Sequence, residues 1–153
     1  MASKAHRISG LEDHLGYWLR YVSNHVSGAF SRKIAAKGVT VAEWVVLREL
    51  YACSLAPSAI AERIGMTRGA ISKLADRLEE KSLLTRTMGK GDRRYQELAL
   101  TPAGRALVPQ LAALADQNDA EFFGAMSCDE RATIERLMKT IVQRSGLRAV
   151  PID

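Results

Sequence analysis

What this chain has little of narrows its chemistry first. Two cysteines, Cys53 and Cys128, occur in 153 residues, too few and too far apart for a disulfide framework. Each is expected to be a small buried or half-buried apolar side chain. No apolar run reaches the ~18 residues of a membrane span. Met1–Gly10 carries Lys4, His6 and Arg7 but no apolar stretch of the kind a secretory leader needs. No membrane partner is expected, and the chain is expected to stay in the cytoplasm. His14 and His25 would lie about 16 Å apart along a helix, too far to share a metal, and no metal or other cofactor is expected. There is no nucleophile–base constellation and no phosphate-cradling glycine motif, so the chain does not read as an enzyme. Internal repeats and low-complexity tracts are absent as well.

What is present is an ordinary globular composition, 47% apolar and 25% charged, with its charge unevenly placed. The formal net charge is +5. Residues 63–77 hold Arg63, Arg68, Lys73 and Arg77 against Asp76, and residues 86–94 hold Arg86, Lys90, Arg93 and Arg94 against Asp92. Each window has an excess of three positive charges, so the rest of the chain is slightly acidic. A positive excess gathered into two short windows is the footprint of a polyanion partner rather than of general basicity.

The hydrophobic pattern across those windows predicts a helix, a tight turn, a second helix and a hairpin. Pro57 suits a first helical position, and Ile60, Ala61 and Ile64 recur at helical spacing. Gly65-Met66-Thr67 breaks the pattern, and Thr67 can cap the next helix. Ile71, Leu74, Ala75 and Leu78 then form one stripe, with Arg68, Ser72, Lys73, Asp76 and Arg77 opposite. Such a pair is a helix-turn-helix, whose second helix can enter a major groove. Leu84–Thr87 and Tyr95–Leu100 read as short strands around a turn with two glycines, Met88 to Asp92. The expected fold class is mainly α with a small β-hairpin wing (α+β), a winged helix-turn-helix over residues 40–100.

Helices flank it on both sides. The first is expected from about Leu11 to Lys37, opened by Ser9 and Glu12 and stopped at Gly38. At ~1.5 Å per residue it would be roughly 40 Å long. Leu11, Leu15, Trp18, Val22, Val26, Ala29 and Ile34 give it an apolar seam. Thr40 and Glu43 form a capping box for a central helix from Val41 to about Cys53. Thr101-Pro102 opens a helix reaching Gly124, with Leu107, Leu111, Leu114 and Asn118 on one seam and a bend expected at Pro109. Ser127 and Glu130 cap the last helix, whose apolar face is Ile134, Leu137, Met138, Ile141 and Val142, with Gly146 as its end. The segments 11–37 and 102–146 carry more seam than one winged helix can cover, and a second copy of the chain is the natural cover. A homodimer is therefore expected, with two-fold symmetry placing two reading helices ~34–36 Å apart on a pseudo-palindromic double-stranded DNA operator.

The stretch AIAERIGMTRGAISKLADRLEEKSLLTR followed by GDRRYQELALTPAG resembles the MarR family of bacterial winged-helix transcription regulators. The second segment is similar to the family's wing signature, Asp-x-Arg and then Leu-Thr-x-x-Gly. With the first helix, GVTVAEWVVLREL and two C-terminal helices, the resemblance covers nearly the whole chain. It departs at Ser82, where many members have glycine at the helix end.

The helix-turn-helix reading makes Arg68, Ser72, Lys73 and Arg77 the candidates for the major groove, Thr67 capping and in reach of phosphate. Their alternative is an ordinary solvated helix face. Asp92, Arg93 and Arg94 would form the wing. The resemblance implies that Asp92 orients an arginine that enters the minor groove; which one stays open, and a solvated turn is the alternative. It also implies a cleft for a small aromatic or anionic effector that releases DNA. Tyr17, Trp18, Tyr21, Trp44 and Arg48 are candidates there, the alternative being core and interface aromatics with Arg48 bonded to a neighbour. The family's peroxide-sensing cysteine in the first helix has no counterpart here. The expected function is a dimeric, sequence-specific transcriptional regulator acting as a repressor at the bacterial nucleoid. An architectural DNA binder without a ligand and an enzyme acting on an anionic substrate are the alternatives.

Overall fold

The computed structural model describes residues 7–88 and 96–147. In chain order its elements are α1 (Leu15–Ala35), α2 (Val41–Glu49), α3 (Pro57–Ile64), α4 (Arg68–Glu80), β1 (Leu84–Met88), β2 (Gln96–Leu100), α5 (Pro102–Phe123) and α6 (Cys128–Arg144).

Most helix starts follow from local side-chain chemistry. Thr40, Thr67, Thr101 and Ser127 each accept a hydrogen bond from the backbone N–H three residues on, at 3.1–3.2 Å. This satisfies a donor that the first helical turn leaves without a partner. Glu43 and Glu130 answer as capping boxes, accepting from the N–H of Thr40 at 2.9 Å and of Ser127 at 2.8 Å.

The first helix departs from expectation. A short 3-10 turn, Leu11–Asp13, precedes α1, and His14 between them is extended. Asp13, not Glu12, reaches back, accepting from the Gly10 N–H at 2.8 Å. The Trp18 indole N–H donates to the Glu12 carbonyl at 3.0 Å and fastens the turn to the helix. At the other end Gly38 takes the left-handed conformation, φ 76°. The second helix is shorter than its apolar pattern suggested, ending at Glu49. Neither cysteine is buried as expected. Cys53 sits in the turn after α2 and Cys128 is the first residue of α6, both exposed because each falls at an element end. Helix α5 runs on through Pro109, which lies on the exposed side.

β1 and β2 pair antiparallel, with Leu84 opposite Leu100 and Arg86 opposite Leu98. Leu55 adds a rung on the far side of β2, exchanging two backbone hydrogen bonds with Leu98 at 3.1 and 2.8 Å. The hairpin leads into α5 through a tight corner. The Thr101 hydroxyl donates to the Ser82 carbonyl at 2.6 Å. A Cβ on Gly104 would stand 2.1 Å from the Leu83 carbonyl oxygen, so only glycine fits there.

One core joins these parts. Ile34, Val46, Leu47, Ile60, Ile71, Leu78, Leu84, Leu98 and Leu111 are fully buried, each large side chain contributing about 1.5–3 kcal/mol. Helix α1 lies along α5, fastened by a polar clamp. Buried Asn118 donates to the Val26 carbonyl at 3.1 Å and accepts from Lys33 at 3.1 Å. Lys33 continues to Glu121 at 2.6 Å. Toward the termini burial stops: α6 has no buried residue, and Leu15, Leu137 and Ile141 are 80%, 49% and 51% exposed.

Candidate nucleic-acid interface

The thirteen-residue helix α4 divides cleanly into two faces. Ile71, Leu74, Ala75 and Leu78 are buried, and Arg68, Ser72, Lys73 and Arg77 are all exposed on the other side. Among the described residues Arg68, Lys73 and Arg77 meet no carboxylate. Thr67 uses its oxygen to cap the helix, which leaves the hydroxyl hydrogen to donate outward. Gly65, in the left-handed conformation at φ 72°, ends α3 and brings α4 round against it. The face thus presents three long donors and a hydroxyl on a rigid rod, a set able to bond base edges and phosphates together.

Not every basic residue of the two charged windows is available. Arg86, in β1, donates to Asp76 at 2.5 Å and lies 3.8 Å from Glu79. It neutralises Asp76 and pins the hairpin's first strand to that helix. Arg63 turns away to Glu49 at 3.3 Å. The sequence pattern counted both as part of the polyanion footprint, because pairing between residues ten or more apart has no periodic signal. Asp92, Arg93 and Arg94 lie outside the described residues.

The candidate ligand residues fall into three places. Tyr17, Trp18 and Tyr21 cluster on the first turns of α1, with ring centroids 5.3–6.3 Å apart, and Tyr21 packs on His25 at 4.7 Å. Trp44 meets Phe30, edge to face at 6.3 Å, thirteen residues further along α1, or about 20 Å. Arg48 is exposed and lies 5.9 Å from the Tyr51 ring, which Arg105 also approaches at 5.4 Å. Within one chain these five residues do not converge. Tyr51 and Arg105 carry no signal of this pairing in the sequence, since Arg105 reaches Tyr51 across 54 residues to donate to its carbonyl at 3.0 Å.

Comparisons with known proteins agree with this geometry. The family model that matches, over residues 37–94, describes the MarR family. A putative transcriptional regulatory protein for the hcr operon of Thauera aromatica is 30% identical over 134 residues, covering 86% of this chain and 81% of that protein. CouR from Rhodococcus jostii, crystallised with p-coumaroyl-CoA, superposes with a TM-score of 0.79 at 25% identity, over 94% of this chain and 100% of that one. A mutant of MarR from Escherichia coli, complexed with operator DNA, gives 0.76 at 25% identity, over 84% and 93%. The fold class is the expected one: among the described residues, six α-helices and a two-stranded antiparallel hairpin, built as in these relatives.

Proposed function

Since the chain belongs to the MarR family of transcriptional regulators, we propose that it is a homodimeric repressor that reads a pseudo-palindromic operator and is released by a small aromatic or anionic effector. Residues 40–100 are the DNA-binding unit, and 11–37 with 102–146 pair the two copies. Arg68, Ser72, Lys73 and Arg77 enter the major groove, Thr67 holds a phosphate, and Asp92, Arg93 and Arg94 serve as the minor-groove wing. The protein works in the bacterial cytoplasm, on the nucleoid. The observation that carries this reading is α4 itself. One helix face is wholly buried, while the other displays cations with no carboxylate partner among the described residues. The operator-bound relative from Escherichia coli and the p-coumaroyl-CoA-bound one from Rhodococcus jostii support the DNA and the effector respectively.

Selection from randomised duplexes with the wild-type chain, followed by gel-shift titration, tests it. Lys73→Glu replaces a donor with a charge that phosphates repel and should weaken the selected complex by about 100-fold or more. An intact complex with that variant would remove α4 from the groove. Screening aromatic acids and their thioesters for release of the bound duplex tests the effector.

A further inference from the structure

The end of the DNA-reading helix is tied by one side chain to the corner between α1 and α2. Lys81 directly follows α4, where the chain leaves the helix through Ser82 at φ 58°. Its ammonium donates to the Glu43 carboxylate at 2.7 Å and to the Gly38 carbonyl at 2.8 Å. Both acceptors belong to the corner where α1 gives way to α2. The same Glu43 oxygen accepts from the Thr40 N–H, and Glu43 is 1% exposed. We propose that Lys81 is a positioning residue that fixes the angle between the reading helix and the arm α1, and so sets the half-site spacing the dimer accepts. This rests on the function proposed above.

Apolar packing alone would fix that angle poorly, because hydrophobic contact is non-directional. Two charge-assisted hydrogen bonds from one ammonium are directional. A buried carboxylate also strongly resists losing its partner, since its charge would be left uncompensated. The leverage makes small errors matter. α1 has 21 residues, about 30 Å of rod, so a rotation of roughly 5° moves its far end by nearly 3 Å. Successive base pairs are ~3.4 Å apart. A few degrees at this corner is therefore comparable to a change of one base pair in spacing.

The test uses the full chain and the operator it selects, with the centre of that operator lengthened or shortened by one base pair. The wild type should prefer its own spacing by about 10-fold or more, the equivalent of ~1.4 kcal/mol. Lys81→Met should bring the three spacings to within about twofold, and Lys81→Arg should keep the preference. Should Lys81→Met alone fail to fold, Glu43→Gln combined with Lys81→Met removes both charges while leaving an acceptor for the Thr40 N–H, and is read the same way. The slope of log affinity against log salt should stay as in the wild type, because no phosphate contact is lost. Full spacing preference in the variants overturns the proposal. So does an equal loss at every spacing with a shallower salt slope, which would make Lys81 a phosphate contact. A wild-type chain that selects no duplex would instead overturn the regulator reading beneath it.

Discussion

The middle of this molecule and its two ends are built from similar helices but finished differently. In the middle, α4 buries four residues and leaves only its polar face outside. At the ends, α6 is longer, has a full capping box where α4 has a single cap, and buries nothing. Both sequences are amphipathic, so what separates them is the availability of a matching surface within the same chain. This middle part, the head, closes on itself. The arms keep Leu15, Val22, Leu137 and Ile141 in water until something else covers them, and isolated helices of that length gain most of their stability from such packing.

That difference is tested most severely on the arms. Leu137→Glu with Ile141→Glu should raise the dimer dissociation constant by about 100-fold or more, because two carboxylates would be desolvated at the interface. The head, which these residues do not touch, should stay folded. Sedimentation at micromolar concentration reads the first effect and urea unfolding the second. A variant that sediments as the wild type does would show that α6 faces solvent in the assembled protein.

Where the head meets α5, the largest effect should come from Gly104→Ala. Its methyl would meet the Leu83 carbonyl oxygen at 2.1 Å, with a cost of about 3 kcal/mol from forced backbone movement. An unchanged urea midpoint would mean that the corner yields freely.

Smaller effects sharpen the same contrast at the helix ends. α4 and α6 stop with one hydrogen-bond pattern: Leu83 N–H to Leu78 and Ser82 N–H to Glu79 in the head, Leu147 N–H to Val142 and Gly146 N–H to Gln143 in the arm. The residue in the left-handed conformation is serine in the head, φ 58°, and glycine in the arm, φ 61°. Ser82→Gly should stabilise the chain by about 1 kcal/mol, and Gly146→Ala should destabilise it by about as much. Thermal melts that moved the same way for both would contradict this account of the two ends.

The smallest effect concerns pH. The Lys33 ammonium, and after it the Gln117 amide, hold the Glu121 carboxyl below the usual carboxylate range by hydrogen bonding to it. A carboxyl lowered in the folded state adds stability that is present above its unfolded pKa and lost as pH falls through the folded one. Glu121→Gln should therefore lower the melting temperature slightly at neutral pH, with the difference fading on acidification below about pH 4. A difference that grew in acid would reverse the sign and refute the clamp. Between mildly acidic and mildly basic pH this clamp should not respond.

How much could be read in advance depended on distance along the chain. Thr40, Thr67, Thr101 and Ser127 were identifiable as caps because a cap bonds its own third neighbour. The departure at Ser82 was also visible in the sequence, and φ 58° is why glycine suits that place. The start of α1 differs from the expected one because the Asp13 carboxylate accepts from the Gly10 N–H and closes a separate 3-10 turn, leaving His14 extended before the helix. The pairs Lys81–Glu43, Arg86–Asp76 and Asn118–Val26 leave no mark in the sequence, since they join residues 38, 10 and 92 positions apart.

By itself, then, the sequence determined the element types, most of their starts, the exposed basic side of α4 and the surplus of apolar seam at the ends. Those follow from periodicity and from bonds that close within one helical turn. The tertiary structure decided which charges stay available, with Arg63 and Arg86 paired to carboxylates and Arg68, Lys73 and Arg77 exposed without one among the described residues. It decided that the candidate aromatics of α1 stand apart from Arg48, and that one lysine joins the end of α4 to the corner between α1 and α2. Each of these depends on which distant residues the fold brings within a few ångströms, where the energy of a charge is set by its neighbours in space.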